Sequence, residues 1–187
     1  MKKIRCFLVL AALISVCSAS PEKALVSFAT PEGTLRFNLP TDWKQIPDEQ
    51  IIAFNLGRPE QHHFNGGIAD NSAPTPKTYM LLQVKKRPPE SEDAIKRYRT
   101  AAIEAPELAV VTKAILTGSY REKAEFYSPK YDAFILLNGT ASEMSVMVKR
   151  FTGYGYFLMH FYLDDQIELR VREIDTVLQS IKEEAVR

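Results

Sequence analysis

Apolar and polar positions alternate most regularly between Tyr131 and Leu163, in three runs separated by turn residues. Asn138-Gly139 stands between the first two runs, and both residues tolerate the positive φ of a two-residue hairpin turn. Thr152-Gly153-Tyr154-Gly155 marks a second reversal before Tyr156–Leu163. There the period changes. Ile167, Val171, Ile174, Leu178 and Ile181 recur at helical spacing, which predicts an amphipathic helix lying over a three-stranded meander. Asp164 and Asp165 precede that helix, with Glu168 just inside it. The pair therefore reads as a capping-box start rather than as carboxylates for acid–base chemistry.

Upstream, Ala24–Ala29 and Leu35–Leu39 predict a hairpin turned by Thr30-Pro31-Glu32-Gly33. Pro40 ends it, and Trp43 reads as a core plug beyond it. Ile51–Leu56 predicts a third short strand, and Thr78–Val84 another, with Lys85-Lys86-Arg87 at its end. Between them Arg58 to Pro76, with Pro59, Gly66, Gly67, Pro74 and Pro76, predicts a long loop. Ser91 suits an N-cap and Pro106 a stop, which predicts a helix up to Ala105. The β-branched stretch Leu108–Thr117 predicts a strand, and Ser119–Lys130 either a strand or an edge cover. Segregated runs of this kind predict an α+β domain over 24–184: a central antiparallel sheet of about six to eight strands flanked by helices.

Four features in this order resemble the PsbP/Mog1-type sandwich and the bacterial exported proteins built on it. They are Gly33–Trp43, the mid-chain helix with the strand after it, Gly118 leading into the aromatic meander, and the terminal helix ending Leu178-Gln179-Ser180-Ile181-Lys182. The resemblance implies an antiparallel sheet with helices on both sides. It also implies an accessory or binding role, with no catalytic motif to carry over.

Charge and the N-terminus sharpen this picture. Lys2, Lys3 and Arg5, then apolar Cys6–Val16, then small residues to Ala19 read as a signal peptide over 1–19. That run is too short for a transmembrane span, which needs ~20 apolar residues. The protein is thus expected outside the cytoplasm, periplasmic or extracellular. Cys17, in Ile14-Ser15-Val16-Cys17, is a candidate lipid anchor, although Val16 is large for that motif. Cleavage takes the 24 Lys and Arg down by three, to 21, against 23 Asp and Glu, so nothing in the net charge favours nucleic acid. Both cysteines lie in or beside the signal, so the rest of the chain folds without disulfides.

Candidate chemistry is sparse. His62 and His63, with Asp70, form the one suggestion of a divalent-metal site; no other cofactor is implied. His160 sits mid-strand with no Ser or Cys nucleophile to pair with, so it reads as a wall of the second sheet face. Lys85, Lys86 and Arg87, with Lys149 and Arg150, make either a basic patch or edge protection. Phe64 on the long loop and Tyr154 and Tyr156 at the hairpin tip are the candidate partner contacts. The function expected is a non-catalytic accessory protein binding an envelope protein, the alternative being a small-ligand or metal binder using residues 58–76.

Overall fold

Two antiparallel sheets and three α-helices are seen in the computed structural model, which describes residues 24–30, 33–71, 77–86, 96, 107–117, 123–139, 144–152 and 155–185. In chain order they are β1 (Leu25–Thr30), β2 (Gly33–Asn38), β3 (Trp43–Gln45), α1 (Asp48–Asn55), a 3-10 turn (Glu60–His62), β4 (Gly66–Asp70) and β5 (Tyr79–Lys86). After them come α2 (Leu108–Leu116), β6 (Lys123–Ser128), β7 (Ala133–Gly139), β8 (Met144–Phe151), β9 (Gly155–Leu163), α3 (Ile167–Ser180) and β10 (Lys182–Ala185). The larger sheet has the order β3-β4-β5-β9-β8-β7-β6, and the smaller β1-β2-β10. Every pairing is antiparallel, so the α+β arrangement read from the sequence is the arrangement of the chain.

Period-two alternation assigns each residue of the large sheet to a face. One face carries Ile68, Met80, Leu82, Ile135, Val146, Met159 and Phe161, all buried. It packs against Phe28 and Phe37 of the small sheet, Leu108 and Val111 of α2, and Val171, Ile174 and Leu178 of α3. Each such side chain contributes about 1.5–3 kcal/mol by leaving water, so this layer holds the fold. The helical stripe of α3 faces it as expected, with Val177 added to the buried set and Ile181 half-buried past the helix end.

Four sequence expectations are corrected. Residues Ile51–Leu56 are not a strand: Asp48–Asn55 is a helix, entered from Pro47 with Asp48 and Glu49 in its first turn, where they meet the positive end of the dipole. Leu108–Leu116 is a helix too, because Leu108, Val111 and Thr112 reach the core at helical spacing while Val110 stays exposed. Inside the expected loop, Gly66–Asp70 is a fully buried strand between β3 and β5. A Cβ on Gly66 would lie 2.3 Å from the Phe28 ring, and one on Gly67 2.5 Å from the Met80 carbonyl oxygen. The two glycines are there to let layers approach, not to make a turn. Finally, Asn138 pairs with Ser145 and Gly139 with Met144, so the β7–β8 connection runs through residues 140–143 rather than turning at Asn138-Gly139.

The reversal at Thr152–Gly155 stands where expected, closed by Thr152 N–H to the Gly155 carbonyl and Gly155 N–H to Thr152 Oγ1, both 2.9 Å. The signal peptide, Cys17, Gly118, Tyr154 and, apart from the helical Lys96, the helix expected to end at Ala105 lie outside the described residues.

Candidate functional site

The second face of the large sheet is covered only in part. A small apolar cluster of Ile46, Ile51, Phe64, Ala69 and Leu81 seats α1 and the 3-10 turn on the β4–β5 end. Asn55, the last residue of α1, brackets Phe64: its Nδ2 donates to the Phe64 carbonyl at 2.9 Å and its Oδ1 accepts the Phe64 N–H at 2.8 Å. Gln83 Nε2 donates to the His62 carbonyl at 2.6 Å, tying the same segment to β5. Past this cover the face carries Leu136, Met147, Leu158, Phe134, Phe151 and Tyr156, each half-buried by its sheet neighbours.

Rings and cations are concentrated here. Phe54 of α1 stacks on Tyr79 of β5, and Tyr79 on Tyr162 of β9, with centroids 5.9 and 4.7 Å apart. Burial and its neighbour Tyr162 raise the Tyr79 hydroxyl pKa, so this hydroxyl is uncharged at neutral pH. Ile52 and Leu56 project outward from the other flank of α1, 63% and 76% exposed. Lys149 Nζ stands 4.5 Å from the Tyr156 ring and 4.7 Å from Phe151, and Arg58 Cζ 4.9 Å from Phe64. Lys85 faces Tyr156 across the strand pair, and desolvation lowers its pKa. Together these residues put an apolar patch, an aromatic ladder and three cations on one side of one sheet.

A cleft of about 640 Å³ opens between the 3-10 turn and β5, lined by Asn55, Glu60, Gln61, His63, Phe64, Asn65, Val84 and Lys85. β4 pairs with β5 only as far as Leu82. Beyond it Asn65 takes over, giving its N–H to the Leu82 carbonyl and accepting the Val84 N–H, both at 2.7 Å. Lys85 therefore sits on an interior strand at the place where its neighbour has run out. The edge-protection reading of this lysine applies to that short open segment alone.

The candidate metal residues are not brought together. His62 is exposed, His63 donates from Nε2 to the Arg58 carbonyl at 2.9 Å, and Asp70 is buried on the opposite face. Asp70 Oδ2 lies 3.0 Å from Arg170 Nη2 of α3. Among the described residues no group of three or more His, Cys, Asp or Glu side chains is placed to hold a metal ion. Asp164 also serves this arginine, accepting from Nη2 at 2.8 Å and Nε at 3.1 Å, while Glu173 accepts from Nη1 at 2.9 Å. The capping-box reading of Asp164 and Asp165 is thus corrected. The helix starts at Ile167 after Gln166; Asp164 takes the Gln166 N–H at 3.0 Å but spends most of its oxygen on Arg170, which holds its carboxyl below the ordinary value.

Of the contact candidates, Phe64 is only 6% exposed and belongs to the small core, so it supports the surface instead of forming it. Tyr156 is half-buried on the open face. His160 lies on the second sheet face, edge-on to Phe64 at 5.9 Å, but the hydrogen bond expected of such a wall residue is not made by its buried Nε2, which has no partner among the described residues. Burial, then the charges of Arg58 and Lys85, lower its pKa, which keeps the ring neutral. Sequence reasoning missed Ile52, Phe54 and Leu56 because a strand was expected there. The signal that would have found them is Pro47-Asp48-Glu49, a helix start. No helix among the described residues is long and apolar enough to cross a membrane. The chain matches no model of a known protein family, and no curated protein matches it.

Proposed function

We propose that this is an exported, non-catalytic binding protein of the cell envelope that holds a partner protein on the open face of its large sheet. The observation that carries this reading is exposed apolar surface on both flanks of α1: Ile52 and Leu56 on one, and on the other Phe54, stacked through Tyr79 on Tyr162, which is itself 38% exposed. Isolated exposed apolar residues are ordinary; several gathered on one short braced helix mark a contact surface. Its aromatic members are the kind that dominate interface energetics. The basic and apolar N-terminus supports export. An antiparallel sheet backed by helices is compatible with the PsbP/Mog1-type sandwich, whose members act as accessory and binding proteins, and supports the same reading.

The test is recovery of partners from envelope extract by wild type and by an Ile52→Asp/Leu56→Asp variant. Both side chains point to solvent, so the variant is expected to melt with wild type and to lose the partner. Equal recovery by the two removes this surface from the account. The competing reading, a divalent ion or small ligand held by residues 58–76, has the cleft in its favour. Equilibrium dialysis with zinc, copper and calcium separates the two. A partner-binding protein gives the same uptake with His62→Ala/His63→Ala as with wild type; loss of uptake in that variant would favour the ion.

A further inference from the structure

We infer that the surface selects for charge as well as for apolar contact, and that its occupant is an acidic polypeptide segment. The inference rests on the contact surface proposed above. Carboxylates of the segment meet Lys85 and Arg58 at the mouth of the cleft while its apolar side chains cover Ile52, Leu56 and the Phe54–Tyr79–Tyr162 ladder.

The charge distribution carries this. Four cations elsewhere are matched, Arg36 with Glu184, Lys130 with Asp175, Arg150 with Glu183, and Arg170 with three carboxylates, while Lys44, Lys113, Arg172 and Lys182 have no carboxylate partner among the described residues. Arg58, Lys85 and Lys149 on the open face have no carboxylate partner among the described residues. Arg58 spends Nε on the Phe54 carbonyl at 2.8 Å and lays its plane over Phe64, which leaves its terminal nitrogens for a ligand. Lys149 rests on two rings, and Lys85 lines the cleft. Among the described residues Glu60 is the single carboxylate lining that cleft. What sets Arg58, Lys85 and Lys149 apart is that they gather on one face beside aromatic rings, in a chain of 24 basic and 23 acidic residues whose overall charge does not account for it. Arg58 lies over Phe64, whose ring meets His160 edge-on, and Lys85 lines the same cleft as Phe64, which puts both cations over the same part of the sheet. Unpaired cations beside exposed rings fit a partner that brings both carboxylates and apolar side chains.

Fluorescence polarisation with labelled short peptide pools tests it. The pools are matched in Leu and Phe content, one rich in Asp and Glu, one neutral and one rich in Lys. The acidic pool is expected to bind tightest, to weaken with added salt, and to lose about tenfold or more in affinity to a Lys85→Glu/Arg58→Glu variant. Lys85→Glu alone should show a smaller loss in the same direction, and serves if Arg58 proves necessary for folding. Three results overturn the inference: no preference for the acidic pool, no binding of any pool, or charge reversal without effect. Vesicles containing phosphatidylglycerol form the last arm. If they bind more tightly than the acidic pool and charge reversal releases them, the face is a membrane site and the polypeptide assignment falls. Loss of pool binding in Ile52→Asp/Leu56→Asp together with indifference to charge reversal would sink the charge selection and leave the contact surface standing. Indifference to both would remove the surface itself.

Discussion

Arg170 shows how much one side chain decides here. Its guanidinium gathers Asp70 from β4, Asp164 from the β9–α3 connection and Glu173 from its own helix, with little exposure on any of them. Asp164 also donates its N–H to Thr78 Oγ1 at 3.1 Å, adding the residue that leads into β5. Removing the cation strands two poorly hydrated carboxylates, so Arg170→Met is expected to cost ~3–5 kcal/mol in denaturant unfolding. The pH dependence has a definite sign. Asp164 titrates below its ordinary 3.8 in the folded chain, so its contribution is complete above that value and is lost as pH falls through the lower, folded value. Wild type and Arg170→Met should therefore differ most near neutrality and converge in acid. His160 acts in a second window. Its folded pKa lies below 6.5, so the unfolded chain binds the proton first and stability falls as pH drops below 6.5. His160→Leu should flatten that part of the stability curve.

None of this was legible from sequence at the residue scale. Asp164 and Asp165 sit where caps sit, and only the spatial approach of Arg170 and Asp70, a hundred residues apart in the chain, reveals the other use. His62, His63 and Asp70 looked like a ligand set because they are close in sequence. A strand between them put Asp70 on the far face.

At the scale of elements, long periodic segments were readable and short ones were not. β7, β8, β9 and α3 follow their alternation and stripe over enough residues for one period to win. α1 and α2 are eight and nine residues long and rich in Ile and Val, so their composition argued for strands. Tertiary contact settled it, since helical spacing buries Val111 and leaves Val110 57% exposed. A strand would have put Val110 on the same face as Leu108. Val111→Ala should therefore cost ~1–3 kcal/mol and Val110→Ala within about 0.5 kcal/mol of nothing, measured by thermal or chemical unfolding. β4 was hidden for a different reason. Gly66 and Gly67 have turn chemistry in a sequence, yet here the missing Cβ admits Phe28 and the Met80 carbonyl. Gly67→Ala meets backbone, which cannot yield, and is expected to destabilise by ~1–3 kcal/mol or more. Gly66→Ala meets a ring, so Phe28→Leu should recover part of its loss.

For the molecule as a whole, the two faces of the large sheet divide the work. One is buried under α2, α3 and the small sheet and supplies the stability. The other is braced at one end by α1 and the Arg58–Asn65 segment, and displays rings, cations and the Ile52–Leu56 patch to solvent. The α+β class was legible because segregated strands and helices leave few arrangements. The proposed contact surface was not, because it is assembled from α1, β5, β8 and β9, and its most exposed members lie on an element expected to be a strand.

Site-specific photo-crosslinking tests the surface most directly. A photoreactive phenylalanine analogue is placed at Leu56 in one protein and at Val110 in another, both exposed and apolar but on opposite sides of the large sheet. Irradiated with envelope extract, the Leu56 protein is expected to give a discrete covalent adduct that added acidic peptide suppresses, and the Val110 protein none. Adducts of equal yield from both positions, or from Val110 alone, would contradict the assignment of the open face as the binding surface.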